Sequence, residues 1–243
     1  MKKGIFKTKA FILSSQDFRT SSRIILFFTL DFGKIKGILK AVRKEPLKYN
    51  SSCLIGSLNE IVFYSASSEL NLISQIFLIK VFPVFESISN FYYACFFAEV
   101  INNFLNLEDE NKKIFYLLNW ALENLNVKDK EKLRFIFLLK LFEYVGIKPH
   151  LTDCLVCQNS ISKKAFLSIE KGGLVCENCA RKIFTARKIE QGVVNTLLYW
   201  HKQSLLKSLN IKLSPQMRSV LKEIIDSFLL YHLEKPLNTL NFL

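Results

Sequence analysis

Four cysteines arranged in two pairs are the residues of this sequence whose types and spacing best suit a chemical role. Cys154 and Cys157 form one Cys-x-x-Cys pair, Cys176 and Cys179 form a second, and 18 residues separate the pairs. Each pair can form a knuckle that points two thiolates at one ion, and two knuckles complete the tetrahedral four-thiolate shell that structural zinc prefers. The sequence therefore predicts one Zn²⁺ per chain, held by these four cysteines in a closed, structural site.

Two other interpretations of the paired cysteines remain open. A thioredoxin-like dithiol would need a strand-to-helix context that the sequence does not indicate, and four unrelated buried thiols would leave the double spacing to chance. A turn and a short strand at residues 171–175 are expected to bring the second pair back to the first. Cys53 and Cys95 are predicted to be core residues, because isolated cysteines are often buried. His150 is predicted to lie in a surface loop.

A second candidate site is a basic strand and the loop that follows it. Along residues 33–42, strand alternation predicts one face that carries Lys34, Lys36, Ile38 and Lys40. The other face, towards a core, carries Ile35, Gly37, Leu39 and Ala41. A lysine-bearing strand face followed by a basic loop is a suitable track for phosphates. The predicted nucleic-acid-binding residues are Lys34, Lys36, Lys40, Arg43, Lys44 and Lys48. The same lysines would also suit a solvated strand that is protected against edge pairing.

The charge of the whole chain favours a polyanionic partner. The formal net charge is +13, and residues 1–80 hold 13 Lys and Arg against 5 Asp and Glu. Such an excess attracts nucleic acid, although it also keeps an apolar chain in solution. The sequence has no Gly-rich phosphate loop, no paired carboxylates and no histidine arrangement typical of catalysis. We therefore expect a non-enzymatic, cytoplasmic protein without a membrane span.

The hydrophobic pattern divides the chain into a strand-rich part and a helix-rich part. Five short apolar runs, at residues 5–13, 23–30, 33–42, 54–64 and 70–79, are separated by breaks that contain Ser, Asp, Gly or Pro. Five strands in 80 residues indicate a small barrel, for which the OB fold is one option. After Pro83 the period becomes helical. One helix is predicted to stop at Gly146, and another to begin at Ser214 as its N-cap.

Several segments together resemble the bacterial recombination mediator RecO family. The segments that carry the resemblance are residues 14–30 (SSQDFRTSSRIILFFTL), 31–35 (DFGKI), 40–44 (KAVRK), 154–157 (CLVC), 172–179 (GGLVCENC) and 231–237 (YHLEKPL). The resemblance implies an α+β protein in which an OB-fold barrel, residues 1–80, precedes a mainly helical domain, residues 81–243. The zinc module, at about residues 150–182, is then an insertion in the helical domain.

The same resemblance implies a function that spacing alone does not give. A RecO-like protein is a DNA repair and recombination mediator of the RecF pathway that binds single- and double-stranded DNA and anneals complementary strands. Its implied partners are DNA, RecR, the single-strand binding protein and, indirectly, RecA, with a location at the nucleoid. Three alternatives remain open: a zinc-containing interaction scaffold that does not bind DNA, a zinc-containing RNA-binding protein, and a thiol oxidoreductase.

Overall fold

The computed structural model describes residues 4–44, 49, 53–65, 69–161, 164–233 and 235–243. The chain divides into two compact units, one formed by Met1–Lys130 together with Leu237–Leu243 and the other by Glu131–Pro236. The predicted boundary at residue 80 coincides with the end of the fifth strand. The first compact unit continues beyond that strand through two helices.

A closed five-stranded barrel begins the first unit. Its strands are β1 (Ile5–Phe18), β2 (Ser22–Thr29), β3 (Gly33–Leu39), β4 (Leu58–Tyr64) and β5 (Leu70–Lys80). The strand order is β1-β2-β3-β5-β4, β4 pairs with β1 to close the barrel, and β3 and β5 are parallel. This is the arrangement of a five-stranded OB-type barrel, so the predicted fold class is confirmed for this part of the chain.

Alternating side chains of the strands fill the barrel. The interior cluster consists of Ala10, Ile12, Ile25, Phe27, Ile35, Leu39, Val42, Cys53, Ile61, Phe63, Ile73 and Ile76.

Two strand ends differ from the sequence prediction. β1 runs on past residue 13 because its hairpin with β2 continues to the pair Phe18 and Ser22. β3 stops at Leu39, and Ala41 is exposed rather than facing the core because its φ of 59° breaks the strand.

Two helices pack on the barrel within the first unit. Helix α1 (Ile88–Phe104) begins after Ser87, and helix α2 (Lys112–Glu123) begins after Asn111; each preceding side chain accepts a hydrogen bond from a backbone N–H of the first turn. Phe115 of α2 lies 4.7 Å from Phe11 and 5.8 Å from Phe28, measured between ring centroids. The helix therefore buries side chains on the outer surface of β1 and β2, which explains why the unit extends beyond the barrel.

The last residues of the chain also belong to the first unit. The backbone N–H groups of Asn238 and Thr239 donate to the two carboxylate oxygens of Glu99 in α1, at 2.9 Å each. The ring of Phe242 stacks on Tyr92 with a centroid distance of 4.9 Å and an interplanar angle of 7°. These contacts attach residues 237–243 to the first helix of the unit.

The second unit combines helices with a small antiparallel sheet. Its elements are α3 (Lys130–Tyr144), β6 (Ala165–Ser168), β7 (Gly173–Cys176), α4 (Glu177–Ala180), β8 (Arg187–Ile189), α5 (Gln191–Lys202), α6 (Leu205–Ser208) and α7 (Pro215–His232). The sheet order is β7-β6-β8. Phe142 of α3 packs against Phe228 of α7 with a centroid distance of 5.1 Å. The mainly helical character predicted for this part of the chain is confirmed.

The helix ends in the second unit follow from local sequence. After α3 ends, Gly146 takes a φ of 84°, the left-handed conformation that glycine adopts without steric cost. The hydroxyl of Ser214 accepts a hydrogen bond from the N–H of Met217 at 3.2 Å, and Pro215 occupies the first position of α7. Both ends agree with the sequence prediction. Among the described helices, none has the length and apolar character needed to cross a membrane.

Candidate metal centre and basic surface

The four paired cysteines meet at one point of the second unit. Cys154 and Cys157 flank a turn, Cys176 ends β7, and Cys179 lies in the short helix α4. Their four sulfur atoms all lie within 4.8 Å of one another. Cys154 is buried, Cys157 is exposed, and the other two are half-buried. The predicted ligand set is thus brought together in full.

Backbone hydrogen bonds fix the two knuckles against each other. The N–H of Leu155 donates to the carbonyl of Leu174 at 2.8 Å, and the N–H of Leu174 donates to the carbonyl of His150 at 2.8 Å. A Cβ at Gly173 would lie 2.5 Å from the His150 carbonyl oxygen, so only glycine allows this close approach. The first knuckle is therefore held beside β7, the strand that leads into the second.

The geometry of the sulfur atoms suits one tetrahedral metal ion. A Zn–S distance of about 2.3 Å implies sulfur atoms about 3.8 Å apart in a regular tetrahedron. The sulfur atoms of Cys157 and Cys176 are separated by 3.8 Å. The four cysteines are therefore arranged so that they can hold a metal ion, and no histidine or carboxylate is among them.

The pKa values of the cluster indicate why a cation suits it. Burial opposes ionisation of Cys154, but backbone N–H groups of Cys157, Cys176 and Val156 outweigh it and lower the pKa of Cys154 to about 6. The pKa of Cys179 is raised to about 12, first by the hydrogen bond with Cys176 and then by burial and the other sulfur atoms. Four adjacent thiols cannot all ionise alone, whereas a divalent cation compensates their charge.

The remaining residues singled out in the sequence lie outside this cluster. His150 is half-exposed, and its Nε2 lies 2.8 Å from Asp153 Oδ1, in agreement with a surface loop. Cys53 is buried in the barrel, as predicted. Cys95 is only half-buried in α1. None of these three side chains contributes to the four-cysteine cluster.

The lysines of the basic strand differ in exposure, because a helix covers one end of the strand. Ile35, Gly37 and Leu39 are buried as the alternation predicted. Lys34, however, is buried, and its ammonium donates to the Asn102 backbone carbonyl at 2.6 Å and to Asn102 Oδ1 at 2.9 Å. This corrects the expectation that Lys34 shares an open face with the other lysines. The cause is helix α1, which supplies Asn102 and covers this end of β3.

The other residues predicted to bind nucleic acid differ in their ion pairs and in their local structure. Lys36 is exposed and forms an ion pair with Glu69 at 3.2 Å, in which Glu69 is 73% exposed. Lys40 and Lys44 are exposed, and neither forms an ion pair with another residue in the described part of the chain. Arg43 lies in a short 3-10 helix, Val42–Lys44. Lys48 falls outside the described residues.

A feature that the sequence prediction missed lies at the turn between β1 and β2. Arg19 has a φ of 53°, and its guanidinium lies 5.2 Å from the centroid of the Phe18 ring. In OB-type barrels this loop and the face of strands 2 and 3 contact oligonucleotides. No local sequence signal marks the pair, because the positive φ of Arg19 depends on the hairpin register.

The fold and the site define a basic protein with an OB-type barrel, a helical part and a four-cysteine module. Family models agree with this description. The N-terminal model of recombination protein O matches residues 1–82, and the C-terminal model of recombination protein O matches residues 86–241. The chain therefore belongs to the recombination protein O (RecO) family, as the sequence resemblance indicated.

Curated relatives match the chain over nearly its whole length. "DNA repair protein RecO" of Caldicellulosiruptor saccharolyticus is 28% identical over 239 residues, which cover 97% of this chain and 96% of the relative. The protein of the same name from Desulfatibacillum aliphaticivorans is 29% identical over 245 residues, which cover 97% of this chain and 95% of that relative. Membership of this family places the chain among DNA repair and recombination proteins.

Proposed function

We propose that this chain is a recombination mediator that binds single- and double-stranded DNA without sequence preference and anneals complementary strands. With RecR it assists the loading of RecA in the RecF pathway, on DNA covered by the single-strand binding protein, and it acts at the nucleoid in the cytoplasm. The observation that carries the proposal is the exposure of Lys36, Lys40 and Lys44 on β3 and directly after it in an OB-type barrel. Family membership supports it.

The proposed contacts are electrostatic. Lys36, Lys40 and Lys44, together with Arg43 and Lys48, neutralise phosphates and read no bases, since phosphate contacts position a protein without specifying sequence. The ion pair of Lys36 does not prevent this role, because exposed ion pairs contribute only about 0–1 kcal/mol and exchange readily with other anions. Lys34 is left out of the contact set, since its ammonium is bound to Asn102.

Annealing needs no bond chemistry from the protein. Two DNA strands repel each other through their phosphates, and cations that neutralise part of this charge lower the repulsion while the bases pair by themselves. The chain therefore needs no catalytic residue for this role. The protein acts as a surface on which two strands meet.

We further propose that the metal held by Cys154, Cys157, Cys176 and Cys179 is a structural Zn²⁺. Four thiolates in a tetrahedral arrangement favour zinc among the common cellular ions. The ion would connect the turn at residues 154–157 to β7 and α4, so that its free energy of binding contributes to the stability of the second unit.

A strand-annealing assay tests the proposal. Two complementary labelled oligonucleotides are mixed with the wild-type protein, with Lys36→Glu/Lys40→Glu, or with Lys207→Glu/Lys212→Glu, and pairing is followed over time by fluorescence. The third protein is the control, because it changes the net charge equally through two exposed lysines of the second unit. We expect the barrel variant to anneal slowly and the control to behave as wild type.

Two outcomes favour the alternatives. If the wild-type protein binds neither oligonucleotide at moderate salt, the chain is an interaction scaffold. If an RNA strand of the same sequence displaces the DNA at far lower concentration than unlabelled DNA does, the chain is an RNA-binding protein.

A further inference from the structure

The surface around the metal centre exposes apolar side chains. Phe184 is completely exposed, with a relative exposure of 106%, and Val156 and Leu155 are 56% and 37% exposed. Single exposed apolar residues are ordinary, but clusters mark binding surfaces. Here the apolar side chains adjoin both knuckles. We call this surface, formed by Leu155, Val156, Lys171, Arg181, Lys182, Ile183 and Phe184, the knuckle face.

Backbone hydrogen bonds before and after Phe184 in the sequence fix the segment that carries it. The N–H of Lys182 donates to the Cys179 carbonyl at 3.1 Å, and the N–H of Ala186 donates to the Ile183 carbonyl at 3.0 Å. Arg187 then enters β8 and pairs with Leu167 of β6. The ring of Phe184 thus projects from a hydrogen-bonded turn between a metal ligand and a sheet strand, with its faces open to solvent.

The segment that bears the knuckle face is basic. Residues 164–188 hold six Lys and Arg against two Glu. The two glutamates do not balance the positive charge of these six side chains. The positive charge also remains in excess when the formal charge of −2 of four thiolates with one divalent ion is added. Glu177 is bound by Lys164 at 2.8 Å. Lys171, Arg181 and Lys182 are exposed, and none forms an ion pair with another described residue.

Cations and apolar side chains share one concave surface. Lys171 and Lys182 line an open cavity of about 510 Å³ together with Leu155, Val156 and Ile183. Phe184 directly follows Ile183 of this cavity in the sequence. An exposed aromatic ring combined with a cation-lined groove is the means by which proteins bind single strands, because the ring stacks on a base while the cations follow the phosphates. In a duplex the bases are already stacked on each other and unavailable to such a ring.

We propose that the knuckle face is a second binding surface for single-stranded nucleic acid, in which Phe184 stacks on a base and Lys171, Arg181 and Lys182 contact phosphates. The inference rests on the proposed function for its ligand class, yet it uses residues of the second unit and none of the barrel. A chain with one such surface in each unit can hold two strands at once, which is what annealing requires.

A tryptophan at position 184 tests the proposal directly. The chain has two tryptophans, and both Trp120 and Trp200 are buried. In Phe184→Trp the new indole is therefore the exposed emitter, and stacking on a base quenches it. We expect quenching by single-stranded oligothymidylate in the full-length protein with its metal, also when Lys36→Glu/Lys40→Glu is present. Phe85→Trp is the control, because Phe85 is 54% exposed and precedes Glu86; its emission should not change.

Charge reversal provides an independent measurement. Arg181→Glu/Lys182→Glu should weaken binding of single strands about tenfold, as expected for the loss of two phosphate contacts and a displaced base. The charge-matched control Lys207→Glu/Lys212→Glu should bind as wild type. Metal content and circular dichroism are measured on each variant, so that a folding defect is recognised.

The outcomes separate this inference from the proposed function. If wild type binds oligonucleotide while the indole of Phe184→Trp is not quenched and Arg181→Glu/Lys182→Glu binds normally, the knuckle face is not a strand site, although the barrel proposal stands. Equal quenching by a blunt duplex, or quenching by an acidic peptide and not by oligothymidylate, also overturns it. If wild type binds no nucleic acid at all, the proposed function itself fails.

Discussion

The ammonium of Lys34 lies 2.6 Å from the backbone carbonyl oxygen of Asn102 and 2.9 Å from its side-chain oxygen. Lys34 belongs to β3 and Asn102 to α1, so these bonds connect a barrel strand to the helix beside it. A buried charge is tolerated only when its donors are satisfied. Lys34 therefore serves the packing of the first unit rather than an open surface.

Replacement of Lys34 should lower stability and leave DNA binding intact. Hydrogen bonds to charged groups contribute about 1.5–3 kcal/mol, so we expect Lys34→Met to lower the free energy of unfolding by roughly this amount. Urea titration measures the loss, and anisotropy with a labelled oligonucleotide measures binding well below the unfolding transition. Lys40→Met is the matched control, for which we expect unchanged stability and weaker binding. A weaker affinity of Lys34→Met in its folded state would contradict this assignment.

The difference between Lys34 and its neighbours shows what the sequence could and could not predict. Alternation correctly placed Ile35, Gly37 and Leu39 in the barrel, because this pattern depends only on the strand itself. It could not predict what covers the other face, since Asn102 lies 68 residues further along the chain. A strand pattern assigns side chains to faces, and only the tertiary fold decides whether a face is open.

The four-cysteine cluster was predictable for a related reason. Two Cys-x-x-Cys pairs are local patterns, and each pair forms its knuckle from neighbouring residues. By contrast, the exposure of Phe184 depends on a turn between α4 and β8 that no periodicity marks. The OB-type topology was predictable only in part. The apolar runs predicted the five strands, whereas the parallel pairing of β3 with β5 required the structure or the family resemblance.

The salt dependence of binding should report the number of barrel contacts. Each phosphate neutralised on a single strand contributes about −0.7 to the slope of log affinity against log salt. The five proposed barrel contacts, from Lys36, Lys40, Arg43, Lys44 and Lys48, alone give a slope of about −3.5. Lys36→Glu/Lys40→Glu should reduce the slope by about 1.4 for every sequence tested. Anisotropy titrations across a series of salt concentrations measure this. A slope that does not change in the variant would locate the contacts elsewhere.

Removal of the metal should destabilise the second unit before it changes any other property. At a free zinc concentration a thousandfold above Kd, linkage gives about 4 kcal/mol of stabilisation. We expect Cys154→Ser to lose this contribution together with the metal, and Cys95→Ser to keep both, because Cys95 is outside the cluster. Elemental analysis gives the metal content and urea unfolding the stability. A metal-free protein with the wild-type unfolding transition would refute the structural role.

His201 should make the second unit sensitive to moderate acid. Burial lowers the pKa of its ring from 6.5 to about 4, assisted by Lys148 and Lys140 and opposed by Glu143. The Nδ1 atom lies 3.6 Å from Glu143 Oε2, too far for a hydrogen bond that would hold a proton. The folded state thus keeps the ring neutral in a pH range where the unfolded state protonates it.

Stability should consequently fall as the pH falls from about 6.5 towards 4, because the unfolded state binds the extra proton. A shift of this size corresponds to at most about 3 kcal/mol. We expect wild type to lose this amount between pH 7 and pH 4 in excess of the loss in His201→Gln, which cannot bind the proton. Urea unfolding at a series of pH values measures both proteins. Parallel pH profiles for the two would mean that the His201 ring is already accessible to protons in the folded state.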